Sequence, residues 1–252
     1  MPFVSSFCCP PNLVRTIAES ASYAYAKSGD AIFVNLYGGS TLTTKLGEKT
    51  VKLTQETEYP WDGRIRITVN ECSNEPFALK LRIPGWAKTA SVRLNGAHSD
   101  LAATTATYLE LRRVWRPGDV VELDLPMAAQ LMEANPFVEE TLNQVALKRG
   151  PLVYCLESLD LPRGTRLLDV AVPANIDLVA RYDGRLLSGV AVLEGKVLAR
   201  SSGDWSGRLY RELRAEPARS VEARFIPYFA WGNRGKSEMT VWLPLTSQAV
   251  RP

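Results

Sequence analysis

The chain has 252 residues, of which 46% are hydrophobic and 23% charged, and its formal net charge is +3. This length accommodates one large or two modest domains, and the apolar content is that of an ordinary globular protein. The small positive excess is scattered and forms no basic run, so nucleic acid is not expected as a partner. No apolar segment approaches the ~20 residues of a membrane span, so a membrane is not expected either.

An amphipathic helix is predicted first in the chain, from about Pro11 to Lys27. Apolar residues recur at helical spacing in this segment, at Leu13, Val14, Ile17, Ala18, Ala21 and Tyr25. Pro11 fits the first turn of a helix, where its missing N–H is no loss, and Gly29 followed by Asp30 marks the end.

Two adjacent cysteines, Cys8 and Cys9, stand directly before this helix and are followed by Pro10 and Pro11. The prolines hold the neighbouring backbone stiffly, and the positive end of a helix dipole favours the thiolate, which attacks electrophiles or binds soft metals. Free cysteine also behaves as a small buried hydrophobe, so an inert core pair is the alternative interpretation of the spacing. A lipid-anchored cysteine is excluded, because Met1 to Phe7 has no basic region and only a very short apolar run.

Strands are predicted throughout the rest of the chain. In the first half, alternating apolar and polar residues predict strands at 31–37, 51–57, 64–69, 77–83, 91–94, 108–113 and 120–125. Asn95 followed by Gly96 is a strong hairpin signal. Short strands with turns every ~8–12 residues are typical of a sandwich or jelly roll.

A domain boundary is predicted near Met127 to Asn143. Strand-like segments follow at 145–149 and 152–156, and a polar, glycine-rich region with weaker periodicity extends from Leu161 to Ala218. Val221 to Phe229 and Met239 to Leu243 are the candidates for the closing strands.

Several other residues could carry chemistry but are interpreted as structural. Cys72 and Cys155 lie within strand-like segments without metal-ligand spacing, so they are predicted to be core residues. The carboxylate pairs have no partner that fixes an acid/base geometry and are assigned to solvated faces; they are Glu139 with Glu140, and Glu56 with Glu58.

Tryptophans near turns could stack on sugar faces, but most are expected to cover the end of a sandwich core. They are Trp61, Trp86, Trp115, Trp205 and Trp231. The exception of interest is the closing loop from Trp231 to Gly235. The chain has one histidine, His98, in the turn region after Asn95 and Gly96.

The string from Cys8 to Asn12, leading into a helix and followed by a long β-rich region, resembles the retaining β-L-arabinofuranosidases of glycoside hydrolase family 127. The closing stretch from Phe225 to Pro244 is the other specific part of the resemblance. It implies a mainly β chain, in which the last helix of an (α/α)6 barrel is followed by two β-sandwich, jelly-roll-like domains. The implied domains are residues 1–29 for the barrel segment, 30–130 with about 238–252 for the first sandwich, and 131–237 for the second.

The same resemblance implies a zinc–thiolate site. Cys8 looks like the nucleophile and a zinc ligand, and Cys9 looks like a second zinc ligand. In the family, a further cysteine and a glutamate complete the zinc site. These ligands, the acid/base glutamate and the sugar-binding histidines precede the cysteine pair, where this chain has seven residues. Zinc keeps a sulfur deprotonated at neutral pH, which suits a thiolate nucleophile.

The chain is therefore expected to be the C-terminal portion of a retaining glycoside hydrolase that removes β-L-arabinofuranosyl residues, and to be inactive by itself. The expected partners are an arabinofuranosyl-containing oligosaccharide and a second copy in a homodimer. With no signal peptide recognised, a cytoplasmic location is expected. Two alternatives stay open: a non-catalytic β-sandwich module that binds carbohydrate or braces a partner, and a vicinal-thiol metal or redox site unrelated to sugars.

Overall fold

The chain folds as two compact units, residues 1–127 and 128–252. The computed structural model describes residues 8–201, 203, 205–212 and 217–247. The division falls at the start of the boundary region that the sequence indicates. Two parts of the expected domains lie outside the described residues. They are residues 1–6 and Phe7 of the expected barrel segment, and residues 248–252 of the expected closing segment.

The helix at the start of the chain is shorter than its apolar spacing predicts. Helix α1 runs over Cys9–Glu19 and continues as a 3₁₀ turn over Ser20–Tyr23. The next residues form strand β1, Tyr25–Ser28, which pairs antiparallel with β2, Ala31–Val34. Gly29, at φ +58°, therefore turns a hairpin instead of ending a helix. Pairing with β2 satisfies the backbone hydrogen-bonding groups of β1. The spacing of apolar residues along the chain does not reveal this pairing.

Over residues 8–127, unit one contains two sheets. The first has the order β1-β2-β6-β9, in which β6 is Pro76–Ile83 and β9 is Thr107–Val114. The second has the order β3-β4-β5-β10-β7-β8. Its strands are β3 (Ser40–Leu46), β4 (Lys49–Thr57), β5 (Arg64–Glu71), β7 (Ser91–Leu94), β8 (Ala97–His98) and β10 (Val120–Asp124).

Most strands of unit one lie where alternation predicts them, whereas β3 is absent from the sequence prediction. Five of the seven β3 residues are Ser, Thr or Lys, and none of the seven is buried. Pairing with β4 along its full length holds this strand. The Asn95–Gly96 hairpin is confirmed, since both residues have positive φ and Leu94 pairs with Ala97.

The two sheets of unit one enclose a single apolar core. Ile32 and Leu81 of the first sheet belong to the same buried cluster as Leu53 and Ile67 of the second. Trp115 is 1% exposed in this cluster, and its indole N–H donates to the carbonyl of Phe77 at 3.0 Å. This packing gives the sandwich that the alternating strands predict.

Unit two contains one nine-stranded sheet in the described residues. Its strands are β11 (Ala129–Met132), β12 (Gln144–Arg149), β13 (Leu152–Glu157), β14 (Val170–Pro173), β15 (Val179–Asp183), β16 (Val190–Ala199), β17 (Arg219–Pro227), β18 (Met239–Thr240) and β19 (Leu243–Thr246). The pairings run β12-β19-β14-β16-β17-β13 and return to β12, so six strands form a ring. The second sandwich expected from the resemblance is thus one sheet that closes on itself around a separate core.

The end of the chain also differs from the expected arrangement. β18 pairs with β13, and β19 pairs antiparallel with β12 and parallel with β14. Residues 239–246 therefore complete the sheet of unit two and do not return to the first sandwich. Leu243 is 1% exposed in the second core, so burial of its side chain fixes this placement. In the described part of the chain, no helix is long and apolar enough to cross a bilayer.

Candidate functional site

Cys8 and Cys9 lie at the start of α1 and are both exposed. Their Sγ atoms are 3.4 Å apart. The backbone carbonyl of Cys8 accepts the N–H of Asn12 at 3.3 Å, so the two thiols occupy the first turn of the helix. Pro10 and Pro11 occupy positions where a missing N–H costs nothing. Because both thiols are exposed, the described residues do not bury this pair in a core, and the inert-core interpretation is wrong for this part of the chain.

The pair has a geometry close to that of two thiolates on one zinc ion. With Zn–S bonds of ~2.3 Å and tetrahedral angles, two sulfurs lie about 3.8 Å apart. The observed 3.4 Å between the Sγ atoms needs only a small rotation of either side chain. The donor set thus fits two of the four positions of a structural or catalytic zinc site.

The described residues bring no further ligand to this pair. They contain no group of three or more His, Cys, Asp or Glu side chains placed to hold a metal ion. His98 is exposed in β8, next to the Asn95–Gly96 turn. Glu139 and Glu140 lie in an exposed 3₁₀ turn, in agreement with the solvated faces predicted for them.

The other two cysteines are core residues, as predicted. Cys155 is 0% exposed, and burial, with Glu157 adding to the effect, raises the pKa of its thiol to about 12. Cys72 is half-buried, and its thiol donates to the carbonyl of Trp115 at 3.2 Å. Burial raises its pKa as well. Neither thiol is suited to act as a nucleophile.

The apolar face of α1 is uncovered in the described residues. Leu13, Val14 and Ile17 are 62%, 66% and 63% exposed, and no residue of the helix is buried. An amphipathic helix of 11 residues gains most of its stability by packing its apolar face. We therefore expect this apolar face to pack against further protein.

The loop from Trp231 to Gly235 is anchored by a buried ionic cluster. Arg234 donates through Nε to Oε2 of Glu157 at 3.0 Å and through Nη1 to Oδ1 of Asp160 at 2.9 Å. Its Nη2 reaches both carboxylates. Glu157 also accepts the N–H of Gly232 at 3.1 Å and the hydroxyl of Ser237 at 2.8 Å.

Burial of Glu157 acts to raise the pKa of its carboxyl. The hydrogen bonds from Arg234, Gly232 and Ser237 outweigh this effect and lower the pKa below its ordinary value. The carboxylate is therefore ionised at neutral pH and serves as an anchor for the loop, and it is unsuited to act as a general acid. Glu157 is not among the residues that the sequence pattern singled out. A glutamate that ends the apolar run of β13, with Asp160 three residues later, was the available signal.

The aromatic turn, Tyr228 to Trp231, follows β17 directly, leads into this loop and presents three aromatic side chains to solvent. Tyr228, Phe229 and Trp231 are 47%, 63% and 45% exposed, whereas Ala230 is buried. Of the other turn tryptophans, Trp115 covers the core as predicted. Trp205 is 41% exposed and stacks with the guanidinium of Arg211 at 4.3 Å.

Comparisons with known proteins give a consistent result over both units. Residues 31–127 match the family model described as "Beta-L-arabinofuranosidase, GH127 middle domain", and residues 129–244 match the "Glycoside hydrolase family 127 C-terminal domain". The border between the two matches coincides with the division between the structural units.

Relatives of known sequence or structure agree with these matches. The non-reducing end β-L-arabinofuranosidase of Bifidobacterium longum subsp. longum is 30% identical over 249 residues, which span 93% of this chain and 36% of that protein. A solved glycoside hydrolase is 46% identical with a TM-score of 0.91, over 97% of this chain and 41% of its own. A solved GH127 β-L-arabinofuranosidase from Geobacillus stearothermophilus T6 is 43% identical with a TM-score of 0.89, over 97% of this chain and 38% of its own. The chain thus spans about two fifths of the length of these relatives.

Proposed function

Since the chain belongs to glycoside hydrolase family 127, whose middle and C-terminal domains it carries, we propose that it contributes the nucleophile to a retaining β-L-arabinofuranosidase. The observation that carries the proposal is the exposed pair of Cys8 and Cys9 in the first turn of α1. Two of the relatives named above, those from Bifidobacterium longum and Geobacillus stearothermophilus, are described as β-L-arabinofuranosidases, which supports this substrate class.

In the proposed reaction, the thiolate of Cys8 attacks the anomeric carbon of the β-L-arabinofuranosyl unit. A C–S bond forms as the glycosidic C–O bond breaks, and the leaving oxygen takes a proton from a carboxylic acid. Water then attacks the same carbon, loses its proton to the resulting carboxylate, and releases the sugar and the thiolate. The acid/base residue is proposed to lie outside this chain.

Cys9, together with Cys8, is proposed to bind a zinc ion shared with ligands outside this chain. When bound, zinc would hold the sulfur in its deprotonated form and temper its basicity. The distance of 3.4 Å between the Sγ atoms and the first-turn position of both residues support this assignment.

Helix α1 is proposed to be the last helix of an (α/α)6 barrel. The exposed Leu13, Val14 and Ile17 support this, because a barrel helix packs such a face against its neighbours. By itself the 252-residue chain is expected to hydrolyse little or nothing. A nucleophile without a general acid loses a factor of roughly 10² to 10⁴ in rate.

The test compares this chain with the longest open reading frame that contains it, using an aryl β-L-arabinofuranoside as substrate. The longer protein should release the aryl alcohol, and Cys8→Ser should abolish the release. Mass spectrometry after an acid quench should place one pentosyl group on the peptide that carries Cys8. Cys72→Ser is the matched control, because that thiol lies apart from α1 and should leave the rate unchanged.

Retained activity in Cys8→Ser, or a pentosyl group on another residue, would overturn the assignment of the nucleophile. Zinc content gives a second readout: Cys9→Ser should lower the zinc bound per chain in the longer protein. If no reading frame that contains the chain hydrolyses the substrate, the non-catalytic β-sandwich module becomes the better interpretation.

A further inference from the structure

A groove of about 510 Å³ lies on the outer face of the six-stranded sheet in unit one, away from the cysteine pair. Along β5 and β10, residues such as Ile65 and Leu123 point into the core, and their neighbours point outward. The outward residues form the lining of the groove. Their positions follow directly from the strand register.

Two rows of charged side chains cross the groove. In the first row, Glu56, Arg66, Glu122 and Arg93 stand side by side on β4, β5, β10 and β7. Arg66 pairs with Glu122 at 2.9 Å and lies 3.7 Å from Glu56. Four adjacent strands span about 14 Å at their usual spacing. The row is therefore long enough for a short oligosaccharide.

The second row lies two residues further along the strands. Arg64 stands opposite Asp124, and Asp124 stands opposite Ser91. Arg64 donates through Nε and Nη2 to the carboxylate of Asp62 at 2.9 and 2.7 Å. In the described part of the chain, Arg93 and Asp124 form no ion pair, so they keep capacity for a ligand.

Cross-strand pairing explains only part of this arrangement. Opposite charges on neighbouring strands stabilise a sheet slightly, and exposed ion pairs contribute little to folding. Cross-strand pairing therefore accounts for the ion pair between Arg66 and Glu122. It does not account for the concave shape, or for Arg93 and Asp124, whose charges face the same groove but form no ion pair in the described residues.

The charge balance selects the class of ligand. Five carboxylates and three guanidinium groups line the groove, which gives a net charge of −2 and disfavours anions. Among the described residues, no three potential ligands are placed to hold a metal ion. The lining has no aromatic side chain, and the two apolar residues that border it, Ile65 and Leu123, are 2% and 1% exposed, so an apolar peptide would find no side-chain anchor there. The three guanidinium groups among the carboxylates also disfavour a cationic peptide. A neutral ligand rich in hydroxyl groups can use both signs of charge at once and is therefore the class that fits best.

We propose that this groove binds a neutral oligosaccharide. A sugar hydroxyl both donates and accepts, so neighbouring hydroxyls match a carboxylate and a guanidinium side by side. Hydrogen bonds to charged groups are the stronger ones, and the ion pairs already hold several of these side chains in place. The site is separate from the thiol pair, and its test needs no hydrolysis.

The test titrates the whole ¹⁵N-labelled chain with linear arabino-oligosaccharides and follows the backbone amide signals. Saturable shifts should map to β4, β5, β7 and β10. Arg93→Ala combined with Asp124→Ala should weaken binding about tenfold or more, the loss expected for one or two charge-assisted hydrogen bonds. Lys52→Ala is the matched control, because Lys52 is an exposed cation of β4 outside the groove.

Four outcomes would overturn the proposal. They are the absence of saturable shifts, shifts confined to the aromatic turn or α1, equal weakening in Lys52→Ala, and tighter binding of polygalacturonate or a lysine-rich peptide. Unchanged amide spectra of the free variants establish that their folds are intact. These binding measurements do not depend on whether the longer protein hydrolyses the aryl substrate, so the two proposals can fail separately.

Discussion

The Nε–H of Arg234 donates to Oε2 of Glu157 at 3.0 Å and joins two parts of the chain that are 77 residues apart. The Glu157 side chain is 0% exposed and that of Arg234 is 17% exposed. Removing one member of such a pair leaves the other charge buried without compensation. Together with the bonds from Gly232 and Ser237 to Glu157 and from Arg234 to Asp160, this contact fixes the loop from Trp231 to Gly235 against the end of β13.

Arg234→Ala should lower the free energy of unfolding of unit two by about 3–5 kcal/mol, because Glu157 and Asp160 stay buried without their cation. Hydrogen exchange of the β13 amides during urea unfolding measures this loss. Arg181→Ala is the matched control. Arg181 is 48% exposed and pairs with Glu194, so the expected loss is about 1 kcal/mol or less. Equal losses in the two variants would contradict the role of the buried cluster.

Glu157 should make unit two sensitive to acid. Its carboxyl has a lowered pKa in the folded state, so its contribution is complete above the ordinary value of 4.5. That contribution is lost as the pH falls through the lower, folded-state pKa. Glu157→Gln should therefore be less stable at neutral pH but lose less stability on acidification.

Thermal unfolding monitored from pH 7 down to pH 3 measures this difference. Glu133→Gln is the control, since Glu133 is exposed and forms no ion pair in the described residues. It should follow the wild-type profile. Parallel acid profiles for wild type and Glu157→Gln would show that the cluster does not set the acid sensitivity.

The four thiols should react with iodoacetamide in the order of their exposure. Cys8 and Cys9 are exposed and should be alkylated first, and Cys72 should follow slowly. Cys155 should react only after unfolding, because its thiol is buried and its pKa is raised to about 12. Peptide mass spectrometry at timed quenches measures the order. Early labelling of Cys155 in the native chain would contradict it.

Gly63→Ala should destabilise unit one by about 1–3 kcal/mol, the usual cost of overpacking. A Cβ at this position would lie 1.9 Å from the carbonyl oxygen of Leu125, whose side chain is fully buried. Gly38→Ala is the control, since a Cβ there meets open space. Melting curves compare the two variants. An unchanged melting temperature for Gly63→Ala would mean that the Leu125 segment moves aside at little cost.

The sequence by itself determined the features that depend on neighbouring residues. Alternation located strands such as β4, β5 and β6, and Asn95 with Gly96 specified a hairpin by their tolerance of positive φ. The proline pair after Cys8 and Cys9 marked the start of α1 correctly. The family was also accessible, because the string from Cys8 to Asn12 and the closing stretch from Phe225 to Pro244 carry the resemblance. The exposure of the two thiols came from the structure.

Only the tertiary structure decided the features that depend on distant partners. It ended α1 at Glu19 and the following 3₁₀ turn at Tyr23, and pairing of β1 with β2 replaced the last predicted helical turn. It placed β19 between β12 and β14, and it joined Glu157 to Arg234. Local periodicity records which side of a strand is buried but not which strand lies beside it. Strand neighbours are decided by the burial of apolar side chains and the pairing of backbone groups over the whole unit, and these terms are absent from any short window of sequence.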